Sequence, residues 1–318
     1  MRYLLVVLVF LSSVAFADYG WMPKDQNMFL SFGLDYLRSG ANFLTDSTRQ
    51  NLLFQGVAAR YSAVNFWAEP EYAFLPGVSG RVRLGITSNS VSNITLNNNG
   101  ASLSGGGISE ILIGVKWQLK SGQPSLVIEP TVKFPTNSNF VNNGDQDTKL
   151  LAADGSVDIG LAVHGGYRHK HLLLALSPQF LMRSAGYAPA IYVRGAGGVT
   201  FAGGYALVTT DLYASLGSSL LFDSALDVHD AVGTGGSYAL LSGSPTLFTF
   251  GLKGGVRLSK TAFLEGTFRQ GVWGIRAPYF FQFGLNGIFT FDFQKPDTRV
   301  KAHEIPFDTD PETNPDGT

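Results

Sequence analysis

The chain has no cysteine among its 318 residues. Disulfide staples and thiolate metal centres are therefore excluded, and an exported protein with this sequence has to hold its shape by packing and hydrogen bonding alone. Charge is scarce as well: Asp, Glu, Lys and Arg make up 15% of the chain, against about a quarter in a typical soluble domain. Neither sign dominates, with 23 basic and 24 acidic residues, so the balance gives no reason to expect a nucleic-acid partner. Past the amino terminus, no uninterrupted apolar run approaches the roughly 20 residues that a spanning helix needs. A membrane crossing by this chain has to use β-strands. Two residue types are plentiful instead, glycine (38) and phenylalanine (24).

The amino terminus has its own signature. Arg2, an apolar run over 3–16 and Ala15-Phe16-Ala17 before Asp18 have the form of a secretory leader cut after an A-x-A site. At the other end, 294–318 holds four prolines, six acids and three bases, a composition that does not fold alone. The expected organisation is a signal peptide over 1–17, one transmembrane β-barrel over 18–293, and a flexible periplasmic tail over 294–318.

The stretch 246–269 shows how the middle works. Phe248, Phe250, Leu252, Gly254, Val256 and Leu258 form one alternating row, and Thr249, Gly251, Lys253, Gly255 and Arg257 form the other. After Ser259-Lys260 the pattern resumes, with Ala262, Leu264, Gly266 and Phe268 against Phe263, Glu265, Thr267 and Arg269. A period of two belongs to a strand whose two faces meet different surroundings, and the short link predicts a tight hairpin. The same alternation recurs over 27–37, 60–75, 80–91, 107–119, 125–134, 154–167, 172–183, 189–201, 204–215 and 278–293. Twelve antiparallel strands follow, an even number. Their connections alternate between short (76–79, 120–124, 168–171, 202–203, 259–260) and long (38–59, 92–106, 135–153, 216–245), with 184–188 and 273–277 brief. Short periplasmic turns and longer outer loops are the asymmetry of an outer-membrane barrel.

Charges within the strands are confined to one row. The acids are Asp35, Glu69, Glu71, Glu110, Glu129, Asp158, Asp211, Glu265 and Asp292. The bases are Arg81, Arg83, Lys116, Lys133, Arg183, Arg194, Lys253, Arg257 and Arg269, and His164 shares the polar row. A lipid-facing Lys or Arg at midplane costs roughly 2–4 kcal/mol, which accounts for the segregation. Alternation alone does not separate this from a soluble sandwich turned the other way; the leader, strands of about ten residues and the wealth of Phe decide for lipid. These nineteen residues are the candidate pore lining, and nine acids against nine bases predict weak ion selectivity. Trp67 breaks the pattern by falling on the polar row. Pro70, Pro130 and Pro178 lie inside strands, where a missing N–H predicts bulges. Tyr72, Phe74, Trp117, Tyr167, Phe201 and Phe293, with Tyr36 and Tyr279 at the opposite end, are expected to form interfacial girdles.

The segment 107–169 carries a resemblance. It reads GISEILIGVKWQL, then SLVIEPTVKFPTN, then a Gly/Asp loop, then GSVDIGLAVHGGY. This resembles the outer-membrane β-barrel porins grouped with the "MetA-pathway of phenol degradation" proteins, in which an SD-x-x-L-G-x-K strand precedes K-x-P-T-G. Here that motif is Lys133-Phe134-Pro135-Thr136-Asn137, with asparagine at its last position. The run AEPEYAFLPGVSGRVRLG resembles the family's eYGltd strand and turn. The likeness covers about a third of the mature chain and implies a channel for small, sometimes aromatic or hydrophobic, solutes. The chain departs from the common outer-membrane ending, since residues continue after Phe293.

Other candidate chemistry is thin. His169-Lys170-His171 has metal-like ligands but lies in an expected solvated turn with no third ligand. The run 142–147, NNGDQD, lacks the spacing and closing Glu of a calcium loop. There is no G-x-S-x-G and no H-E-x-x-H, so neither a catalytic residue nor a cofactor or metal is expected. A lipid-modifying hydrolase that assembles Ser, His and an acid from separate strands is the alternative function, and His164 beside a strand serine and an acid is its signature. A barrel with a packed lumen, structural or adhesive through its loops, is the other. Expected partners are outer-membrane lipid, a small-molecule solute and the barrel-assembly machinery during insertion.

Overall fold

The computed structural model describes residues 22–24, 26–43, 49–51, 53–54, 57–58, 60–94, 101–134, 136, 156–184, 187–217, 246–275 and 277–293. The expected leader, the tail and the run 142–147 lie outside the described residues. Among the described residues there are fifteen strands. Three short ones, β2 (Arg49–Asn51), β3 (Leu53–Phe54) and β4 (Val57–Ala58), belong to the connection after β1 (Asn27–Phe43). The wall continues with β5 (Arg60–Leu75), β6 (Val78–Ile94), β7 (Ala101–Lys120), β8 (Ser125–Phe134), β9 (Asp158–His169) and β10 (Leu172–Arg183). It is completed by β11 (Ala190–Phe201), β12 (Gly204–Ser215), β13 (Thr246–Arg257), β14 (Ala262–Ile275) and β15 (Ala277–Asp292). Each of these is antiparallel to its neighbours in sequence, and β15 returns to pair with β1, from Asn27↔Asp292 to Phe43↔Ala277. The result is a closed barrel of 12 strands, so the wall has no unpaired edge.

Alternation fixes which way each side chain points. On β13, Phe250, Leu252 and Val256 are exposed on the outer surface, Leu252 at 40%, while Lys253 is only 2% exposed and points inward. The same holds round the ring: Leu34, Phe66, Leu84, Ile113, Leu161, Leu176, Val208 and Phe283 are exposed. A water-soluble protein would have the reverse arrangement; a wall greasy outside and polar inside suits a bilayer. Among the described residues no helix is long and apolar enough to cross a membrane.

Several expected boundaries shift. β1 runs six residues past 37, and β6 and β7 pair through Ser90↔Ser104 and Val91↔Leu103 where a loop was expected from 92 to 106. Ladder hydrogen bonds need only backbone, so an Asn/Ser/Gly-rich strand persists once its partner is in register. The expected bulges at prolines are absent. Pro70, Pro130 and Pro178 each keep pairing with one neighbour, opposite Leu30, Leu161 and Val193, and miss pairs with the other without a shift of register. One lost donor per proline is absorbed by skipping a rung, with no residue inserted. The bulges lie elsewhere, for example between Ser39 and Ala41 and between Phe248 and Thr249.

Candidate functional site

Adjacent polar rows place complementary groups side by side in the lumen. Glu129 on β8 is fully buried and central. Arg81 on β6 donates from Nε to Glu129 Oε1, and its Nη1 donates to Glu69 Oε1 and Oε2 at 3.1 and 3.2 Å. From β9, His164 Nε2 donates to Glu129 Oε2 at 2.9 Å. A carboxylate only accepts, so Nε2 carries the proton, and in the neutral ring Nδ1 accepts from Ser177 Oγ at 3.0 Å on β10. Beside this centre, Lys116 Nζ lies 2.8 Å from Glu71 Oε2, whose other oxygen accepts from Ser79 Oγ at 2.7 Å.

The remaining ions follow the same rule. Arg83 approaches Glu110 at 3.3 Å and stacks over the Trp67 ring at 4.4 Å, and Trp67 Nε1 donates to Asp35 Oδ2 at 3.1 Å. Toward the long-loop end, Asp158 lies between Lys133 (2.8 Å) and Arg183 (3.3 Å). Asp211 accepts from Arg269 and from Thr249 Oγ1 at 2.9 Å; Arg269 also reaches Tyr192 Oη at 3.2 Å, and Arg194 lies over the Tyr192 ring at 4.6 Å. Near the short-turn end, Glu265 takes Lys253 at 3.3 Å, the Tyr205 hydroxyl, and Asn286 Nδ2 at 3.1 Å. An ion withdrawn from water without a partner costs several kcal/mol, and here opposite charges on nearby strands supply the partner.

Seventeen of the nineteen candidates face the lumen. The other two sit at its short-turn rim: Arg257 donates to the carbonyl of Ser259 at 3.2 Å, and Asp292 is exposed at the end of β15. Trp67 is not a defect in the alternation but an inward side chain held by Asp35 and Arg83. Sequence reasoning also passed over Ser177, Tyr192, Tyr205 and Tyr213, whose signal was their place on a polar row. The lumen is less uniformly polar than expected. Leu173, Tyr205, Leu207, Phe263 and Ile288 form one inward apolar cluster, and Phe43, Leu247, Ala277 and Phe280 form a second nearer the long loops. Tyr279, expected in the outer girdle, is half-buried against Phe43. In the turn after β9, Lys170 has φ 51° and His171 Nδ1 donates to the Thr200 carbonyl at 3.1 Å. Beside the charged centre lies a cavity of about 80 Å³, bordered by Arg81, Arg83, Arg194, His164, Ser177 and Tyr192.

A closed ring of 12 antiparallel strands with lipid-facing Leu, Ile and Phe outside and paired ions inside settles the class of fold. Its fold is that of the outer-membrane β-barrels. The barrel is similar to an outer-membrane channel from Pseudomonas putida F1, with a TM-score of 0.63 at 11% identity over 88% of this chain and 100% of that one. More distant likenesses include the translocator domain of autotransporter NalP from Neisseria meningitidis (TM-score 0.44, 9% identity, 85% of this chain and 90% of that chain). The transport unit of autotransporter AIDA-I from Escherichia coli is another (0.44, 10%, 91% and 97%). At these identities the likeness is one of fold. No family model matches the barrel's sequence, and no curated protein matches it.

Proposed function

We propose that the protein is a channel of the bacterial outer membrane for diffusion of small solutes. One observation carries this reading: a polar, ion-lined interior that holds a cavity against β6–β11, inside a wall whose outer face is apolar. Such an interior offers a polar solute the hydrogen-bonding partners that the bilayer denies it. The solved channel of the same fold supports the reading, and the K-x-P-T motif at Lys133–Thr136 suggests kinship with porins of the phenol-degradation group. The seventeen inward candidates are the proposed lining; the apolar patches beside them suit solutes that carry an aromatic or hydrocarbon part. The protein, refolded into planar bilayers and into liposomes, is expected to conduct ions and admit small solutes. Absence of both conductance and swelling would overturn the channel.

The Ser177–His164–Glu129 line favours one second reading, the lipid-modifying hydrolase. The three side chains are within hydrogen-bond reach, as a nucleophile, base and orienting acid are. Three features weigh against it. Ser177 faces the lumen, out of reach of bilayer lipid. Nδ1 rather than Nε2 faces the hydroxyl, and Glu129 is shared with Arg81. A fluorophosphonate probe is expected to leave Ser177 unlabelled; stoichiometric labelling, lost in Ser177→Ala, would establish the enzyme.

A further inference from the structure

The cavity is lined by charged groups and, on β11, by the ring of Tyr192. Its charged side presents guanidinium groups from two strands, Arg81 and Arg83 on β6 and Arg194 on β11, with the carboxylates of Glu110 and Glu129 among them. Two of these guanidiniums rest on aromatic faces, Arg83 on Trp67 at 4.4 Å and Arg194 on Tyr192 at 4.6 Å. A guanidinium stacked this way is held flat, and its in-plane N–H donors form the fork that a carboxylate fits with two parallel bonds. Just beyond, Arg269 and Arg183 reach the hydroxyls of Tyr192 and Tyr213, at 3.2 and 3.5 Å.

Those tyrosines begin a second surface. Tyr192 lies opposite Tyr213 across β11 and β12, and Tyr213 lies opposite Leu247 across β12 and β13. Leu247 packs with Phe43, Ala277 and Phe280, with Tyr213 and Leu37 against them. An aromatic and aliphatic band therefore runs along the lumen wall from the cavity's edge, and Tyr213 belongs both to it and to the cationic arc.

We infer that this junction is a solute-binding site for small aromatic carboxylates, of the size and chemistry of benzoate. The carboxylate is held at the cavity by Arg194 and by Arg83, on which it takes the place of Glu110, and the ring lies on Tyr192 with Tyr213 beside it. A neutral aromatic lacks the group for the guanidinium fork, an aliphatic acid lacks the group for the band, and an aromatic cation meets arginines. This inference rests on the channel reading above and names the substrate class of that lumen.

The test uses the full-length barrel, with benzoate, acetate, benzyl alcohol and benzylammonium as probes. In planar bilayers, benzoate is expected to block chloride current in a saturable way, at concentrations at least about tenfold lower than acetate or benzyl alcohol need. Benzylammonium should not block. Quenching of Trp67 fluorescence by benzoate, absent from a Trp67→Phe control, reads binding with no current required. Arg194→Lys keeps the charge and removes the fork, and should weaken benzoate about tenfold while sparing folding, with Tyr213→Ala weakening benzoate and not acetate. Equal action by benzoate and acetate, or by benzoate and benzylammonium, would overturn the site while leaving the channel standing. A silent bilayer with normal Trp67 quenching would overturn the channel and leave the site standing.

Discussion

Gly33 shows how closely the inner wall is fitted. It lies opposite Trp67 across β1 and β5, and a Cβ there would fall 2.2 Å from Trp67 Cε2. The indole crosses above the glycine to reach Asp35, and that crossing puts the ring beneath Arg83. Gly114 does the same for the charged centre, where a Cβ would stand 2.5 Å from Glu129 Oε1. Gly33→Val is therefore expected to expel the indole, break its hydrogen bond to Asp35 and cost about 1–3 kcal/mol. Tryptophan emission, corrected by subtracting the Trp67→Phe spectrum, should shift to the red as the ring becomes wetter. An unchanged spectrum would mean that the ring is not where the ladder places it.

At the scale of the element, a strand of this wall is two sequences interleaved, and the two tolerate opposite substitutions. Leu252 and Lys253 are neighbours in β13, one on the lipid face and one paired with Glu265 inside. Leu252→Arg should cost roughly 2–4 kcal/mol near midplane and lower the folded fraction in lipid vesicles, read as the heat-modifiable band in gel electrophoresis. Leu252→Val should leave that band intact. The alternation that underlies this contrast was legible in the sequence: the bounds of β5, β8, β10 and β12 coincide with the period-two runs, and the charge-bearing row faces inward throughout. The partners of each charge were not legible. Glu129 meets Arg81 from a strand two places away, and His164, which lies opposite Val127 in the ladder, reaches diagonally to Glu129. Those meetings depend on the stagger between strands and on side chains that reach diagonally across the lumen. The inward direction of Phe263 and Ile288 was legible, since each shares a row with charged residues; their gathering with Leu173, Tyr205 and Leu207 into one cluster was not. The ends of strands escaped for another reason: the Asn-, Ser- and Gly-rich ends of β6 and β7 carry no alternation in sequence, yet their backbones stay paired.

For the whole molecule the decisive contact is the seam. β1 and β15 are the first and last wall strands, and their ladder runs the length of both, so the ring exists only when the chain's two distant ends have met. Pairing across such a separation comes late, since the loop closed is the longest the barrel contains. Every strand between is held on both edges, whereas without the seam two strands would present bare N–H and C=O groups to lipid at several kcal/mol each. The seam ends at Asn27↔Asp292, and Phe293 adds a hydrogen bond from its N–H to the Gln26 carbonyl at 3.2 Å and a ring contact with Tyr72 at 6.1 Å. Truncation after Phe293 should therefore leave a folded, heat-modifiable barrel with unchanged conductance. Truncation after Gly284 removes Leu285 to Asp292 and with them Asn286, one of the three groups around Glu265. That shorter chain should fail to insert, and a folded band from it in vesicles would show that the ring does not close where β1 and β15 pair.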